Sequence, residues 1–223
     1  TSLTFACVAF FSFQAASAQS KAGAISPEKI EKIKKHIEEL RGLTYTSEVK
    51  TVFITSDSVP KLVRRIMSSE GMSPEKIERM KKVMVAFGLI KSDFDLAAAL
   101  DSIFSEQLQG LYDPVTKTLY VRSDISYENM PVEANGISEM ELALSHELDH
   151  ALQDQRFNLL RISAQRNSNE DAALAFASVA EGDATIVMMD YGMKDLGFSV
   201  PNAPMFAKFM ESFLFGSGQD AFL

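Results

Sequence analysis

Positive charge, cysteine and histidine are all scarce in this sequence. Twenty-two lysines and arginines stand against thirty aspartates and glutamates, a net charge of −8, with a pI near 5.0. There is no surplus of cations to displace counterions from a phosphate backbone, so nucleic acid is excluded as the expected partner. The one cysteine, Cys7, lies inside an apolar run at the front of the chain. If that run is removed, the remaining protein has no thiol, and its stability must come from packing or from a metal. The balance of 46% apolar and 23% charged residues over 223 positions is that of a soluble globular protein, one catalytic-size domain with a smaller piece.

Residues 3–13 (LTFACVAFFSF) carry no charge and are too short to cross a bilayer as a helix, and Ala16 and Ala18 follow in an A-x-A arrangement. This pattern predicts a secretory signal peptide over 1–18, cut after Ala18, and hence a secreted or periplasmic protein with no stable membrane insertion after cleavage. Neither a basic leader nor an initiator Met precedes the run, so the sequence is expected to begin inside its gene product. The ending AFL without a polar tail suits a chain that also stops short. Behind the signal, a mainly helical region over 19–90 is expected to precede a domain over 91–223 that carries the chemistry.

Ser26, Pro27 and Glu28 supply an N-cap, a proline at the first helical position and an acid in the first turn, followed by Ile30, Ile33, Ile37 and Leu40 at helical spacing before Gly42. The opening recurs at Ser73, so that SPEKIEKIKK and SPEKIERMKK nearly coincide, a likeness of capping chemistry rather than a solenoid repeat. Between the copies, 49–55 reads as a strand and 59–69 as a helix; 93–108 reads as a further helix. Lys29, Lys32, Lys34 and Lys35 alternate with glutamates, as on a solvated face, and His36 among them is expected to be structural. Around the turn-forming Asp113-Pro114, residues 111–122 read as a β-hairpin. Ser138 with Glu141 is a capping box that opens a helix through ELALSHELDHALQDQ.

That helix holds His146-Glu147-Leu148-Asp149-His150. Imidazoles four residues apart lie one turn apart on one face, so both can bind one ion, and a carboxylate beside them suits deprotonation of a metal-bound water. A catalytic zinc needs a third protein ligand. No histidine follows His150, which leaves a downstream acid. Residues 169–191 form a helix so uniformly apolar that it is expected to be buried, interrupted by Glu181-Gly182-Asp183. A carboxylate there needs a cation. Glu181 is the preferred ligand and Asp183 its competitor, with an ion pair to Arg156 or Arg161 as the structural alternative. Gly182 suggests a close approach to the backbone.

The segments GLYDPVTKTLYV, HELDHALQDQRFNL and EGDATIVMMDY, spanning roughly 107–191, resemble the gluzincin branch of zinc metallopeptidases, and more narrowly a group of largely uncharacterised secreted bacterial proteins. The resemblance implies an α+β, zincin-like fold, with a small sheet on the motif helix and on the glutamate-bearing helix. It implies Zn2+ on His146, His150 and Glu181, Glu147 as general base, and a peptide or protein substrate. Thr185 stands where gluzincins carry a further acid, so Asp149 or Asp154 is expected to support the histidines instead. Tyr191 and Tyr127 are weak candidates to stabilise the oxyanion, and the strand 118–121 is the candidate edge on which a peptide would align. Within 201–223, Met205, Phe206, Phe209, Met210, Phe213 and Leu214 recur at helical spacing, as for core. The alternative function is a catalytically inactive, zinc-stabilised binding or scaffold protein.

Overall fold

The computed structural model describes residues 25–69, 73–125, 136–166 and 169–193. The signal segment with Cys7, Tyr127 and the stretch 201–223 lie outside these residues. In chain order the elements are α1 (Pro27–Arg41), β1 (Lys50–Ile54), a 3-10 turn (Ser56–Ser58), α2 (Val59–Ser69), α3 (Pro74–Ala86), α4 (Leu96–Gln107), β2 (Gly110–Asp113), β3 (Thr118–Arg122), α5 (Glu139–Phe157), α6 (Leu159–Arg166) and α7 (Glu170–Met193). The class is α+β, with seven α-helices and a three-stranded mixed sheet among the described residues.

The caps form as their sequences dictate. Ser26 accepts the amide of Lys29 and Gly42 closes α1 in the left-handed region; Ser73 accepts the amide of Lys76. The Ser138–Glu141 capping box satisfies amides at both ends of the first turn of α5. In the β2–β3 hairpin, Asp113 accepts the Val115 amide at 2.9 Å and the Thr116 hydroxyl at 2.8 Å. These bonds replace backbone pairing across the turn, and Lys117 completes it with a positive φ.

The sheet runs β1-β3-β2. β2 pairs antiparallel with β3 (Leu111 opposite Tyr120), while β1 pairs parallel with β3 (Val52 opposite Tyr120). β3 is therefore central, flanked on both edges. This corrects the assignment of 118–121 as a peptide-aligning edge, because the parallel partner comes from far upstream and removes the free edge. Alternation along the strands divides the core into two layers. Tyr112, Leu119 and Val121 face Leu144, Leu148, Ala151 and Leu152 of α5. Leu111, with Tyr120 and Ile54, faces Val59, Leu62, Val63 and Ile66 of α2.

Ile30, Ile33 and Ile37 of α1 enter the same cluster as Leu144 and Leu148, so the main core crosses the boundary placed at residue 90. α5 is enclosed by α1, α7 and β2, and every residue from Leu144 to Asp154 is buried. Its polar side chains must therefore find partners inside the protein.

α7 departs from expectation. Ala184, Val187 and Tyr191 are buried, but Leu174 is 63% and Val179 70% exposed. The helix is long and apolar enough to cross a membrane by length and composition, yet it packs on α5 and α1 along one side. Apolar composition all round does not determine which sides have neighbours. Gly182 is likewise corrected: it is exposed, and a Cβ built there meets nothing within 4 Å among the described residues.

Candidate metal centre

His146 and His150, one turn apart on α5, turn their Nε2 atoms toward each other at 3.0 Å. Glu181 arrives from α7 with Oε2 3.1 Å from His146 Nε2 and Oε1 3.3 Å from His150 Nε2. The imidazole planes stand at 88°, so the two nitrogens converge from different directions. These three side chains form a group that could hold a metal ion.

The electrostatics favour a cation at this point. Burial pushes the Glu181 carboxyl up, but hydrogen bonds from both imidazoles outweigh it and hold the group down at about 2. Burial opposes a charge on His150, yet Glu181 and Glu147 overcome it and raise the ring to about 9. Two ring nitrogens 3.0 Å apart cannot both present lone pairs to each other without a proton or a metal ion between the groups.

Glu147 is buried beside them, and its Oε2 accepts the backbone N–H of Tyr112 at 2.7 Å. β2 is an edge strand, so this amide is free to serve the helix rather than a neighbouring strand. Burial raises the Glu147 carboxyl above its ordinary value, while the two nearby imidazoles pull it back. Gly110 permits the close contact of strand and helix: a Cβ at 110 would stand 2.8 Å from Leu144 Cδ2 and 3.7 Å from Glu147 Cγ.

A polar network lies behind the histidines. His150 Nδ1 is 3.0 Å from Gln153 Oε1, and Gln153 Nε2 donates to Asp149 at 3.0 Å, to the Ala180 carbonyl at 3.1 Å and to Asp183 at 2.9 Å. Arg41, at the end of α1, donates to both oxygens of Asp183 at 2.7 and 2.6 Å, and its Nε is 3.3 Å from Asp149 Oδ1. Burial pushes the Asp149 carboxyl up to about 6 in spite of the guanidinium. His146 Nδ1 has no hydrogen-bond partner among the described residues.

The expected residues therefore separate. His146, His150 and Glu181 come together; Asp183, the competing ligand, is clamped by Arg41 instead. Glu181 meets the histidines rather than Arg156 or Arg161, and Arg156 donates to Thr44. Neither acid expected to support a histidine does so directly. Asp149 acts through Gln153, while Asp154 accepts the Tyr112 hydroxyl and the Leu159 amide. Tyr191 donates to Glu141 of the capping box, away from the cluster, and packs edge-on against His36. Gln153, Arg41 and Gly110 are absent from the sequence-based assignment. Gln153 lies three residues after His150 on the same side of α5, which was the available signal; Arg41 has none within its own segment.

Comparison of the chain with protein-family models, curated proteins and solved structures finds no match.

Proposed function

We propose that this chain is a secreted, zinc-dependent metallopeptidase of zincin-like fold and gluzincin type, hydrolysing peptide bonds with Glu147 as general base. The observation that carries this reading is the convergence of His146, His150 and Glu181 beside a buried glutamate. Ligand atoms 2.0–2.1 Å from a tetrahedral zinc stand about 3.3 Å from one another. The nitrogen and oxygen atoms here are 3.0 to 3.3 Å apart, and two imidazoles with one carboxylate are an ordinary donor set for catalytic zinc. The signal pattern over 1–18 supports export, and the peptide or protein substrate follows from the resemblance to gluzincins.

When bound, zinc supplies a Lewis acid for the scissile carbonyl and a water of lowered pKa. The rest falls to the chain. Glu147 takes the proton as the water oxygen bonds to the carbonyl carbon, and delivers it to the amine as the C–N bond breaks. Burial beside the imidazoles suits the carboxylate to both halves of this exchange, and the Tyr112 amide fixes its orientation. Asp183 and Arg41 hold α7 beside α5, so that Glu181 stays within reach of both rings.

The test is Glu147→Gln in the full chain, assayed on a quenched fluorescent casein with zinc content measured in parallel. Hydrolysis should fall by about 10²-fold or more with zinc stoichiometry and the unfolding midpoint unchanged. Stoichiometric zinc without hydrolysis by the unaltered chain would favour the inactive, zinc-stabilised scaffold. Absence of stoichiometric zinc would remove both readings.

A further inference from the structure

The two histidines of the cluster are held differently. His146 Nδ1 has no partner among the described residues, whereas His150 Nδ1 faces a buried primary amide. An amide can present either its oxygen or its nitrogen, and the surroundings of Gln153 decide which. One end of the side chain is 3.0 Å from Asp149 Oδ2, 2.9 Å from Asp183 Oδ2 and 3.1 Å from the Ala180 carbonyl oxygen. All three are acceptors. Only the NH2 can satisfy them, since an oxygen there would face three oxygens in a buried site. The amide oxygen is therefore committed to His150, and once a cation takes the place of the proton between Nε2 and Glu181, the His150 proton must sit on Nδ1 to donate to that oxygen. That leaves the Nε2 lone pair directed at His146 and Glu181.

We propose that Gln153 is a positioning residue that locks His150 in the Nδ1–H tautomer, with Asp149, Asp183 and Arg41 setting the direction of its amide. Arg41 is part of the device because it is the cation beside both acids, through a two-pronged contact with Asp183 and an ion pair with Asp149. It belongs to α1, so the front of the chain reaches the metal centre through three side-chain contacts. The tautomer lock stands on hydrogen-bond geometry alone; its consequence for metal affinity rests on the metal reading above. Groups that fix a ligand histidine through its second nitrogen typically change metal affinity by about 10- to 100-fold when removed.

The experiment uses the full chain carrying Glu181→Ala, which removes the carboxylate that competes for a proton on Nε2, and compares Gln153 with Gln153→Met, which keeps length and volume but removes both polar ends. Long-range 15N–1H spectra of the histidine rings, recorded on metal-free protein with the rings neutral, should show His150 protonated at Nδ1 where Gln153 is present and a mixture of tautomers in the Met variant. Zinc affinity, measured by competition with a chromophoric chelator in the chain that keeps Glu181, should fall about 10- to 100-fold with Gln153→Met. A packing role alone would leave the tautomer where it was. An Nδ1–H His150 that persists in the Met variant overturns the proposal. Should the Met variant fail to fold, the Glu181→Ala chain with Gln153 intact carries the test: His150 protonated at Nε2 there overturns it. If the unaltered chain binds no zinc, the metallopeptidase reading fails, while the spectra still decide the lock.

Discussion

Residues 26–35 and 73–82 are almost the same ten amino acids, yet one segment builds the core and the other stays at the surface. Both begin with a serine cap, a proline and a glutamate, and the cap distances agree, 3.2 Å for Ser26 and 3.3 Å for Ser73. Beyond the caps they diverge. Ile30, Ile33 and Ile37 of α1 are buried, whereas α3 has no buried residue. α1 ends at Arg41, engaged with two acids, and α3 is followed by its C-cap Phe87, which is 77% exposed. Local sequence settles that each segment is a helix and where it starts; the partners brought by the remainder of the chain settle what the helix is for.

The contrast can be broken most forcefully at the end of α1. Arg41→Ala leaves Asp149, wholly buried, without its cation, and a cost of about 3 kcal/mol is expected in urea unfolding. Arg79→Ala in α3, whose Nε donates to the Glu75 carbonyl of its own helix, should move stability by less than about 0.5 kcal/mol. A comparable loss from both would mean that the ion pairs of α1 carry no more than surface chemistry.

The apolar positions sharpen the same point. Ile33→Ala should cost about 2–4 kcal/mol, since Ile33 is fully enclosed in the main cluster. Met80→Ala, at the matching position of α3 and only half-buried, should cost about 1 kcal/mol or less. Equal losses by calorimetry would place α3 in a core that its exposure denies.

The smallest effect should be common to both helices. A hydrogen bond from Lys32 lowers the Glu28 carboxyl, and one from Ser73 lowers that of Glu75. A carboxyl depressed by folding contributes stability above its unfolded pKa and loses it as pH falls through the folded one. Both N-termini should therefore fray on acidification below pH 4.5, the ordinary glutamate value. Carboxyl 13C titration should place both residues under that value; a normal titration at Glu75 would remove the Ser73 contact, and one at Glu28 the Lys32 pair.

What sequence revealed here is chiefly local. The three caps, the Asp113 turn and the i, i+4 histidines each depend on a few adjacent residues, and all form as read. Glu181 was legible because a carboxylate in an apolar helix requires a cation. The pairing of β1 with β3 was not, since nothing in residues 50–54 specifies a partner beyond residue 117. The exposed half of α7 was misjudged for a related reason: composition records what a helix can bury, not what arrives to cover it. Gln153 escaped because its role depends on acceptors from α7 and on a cation beside them from α1.

Gly110 sets a tolerance on the whole assembly. With Leu144 Cδ2 only 2.8 Å from where a side chain would begin, even a methyl group would force the tip of the fully buried Leu144 side chain to turn or retreat within the core. Any protein of this design that carries alanine at the equivalent of 110 should therefore pair it with a trimmed residue opposite, and this coupled exchange is a signature by which distant cousins can be sought.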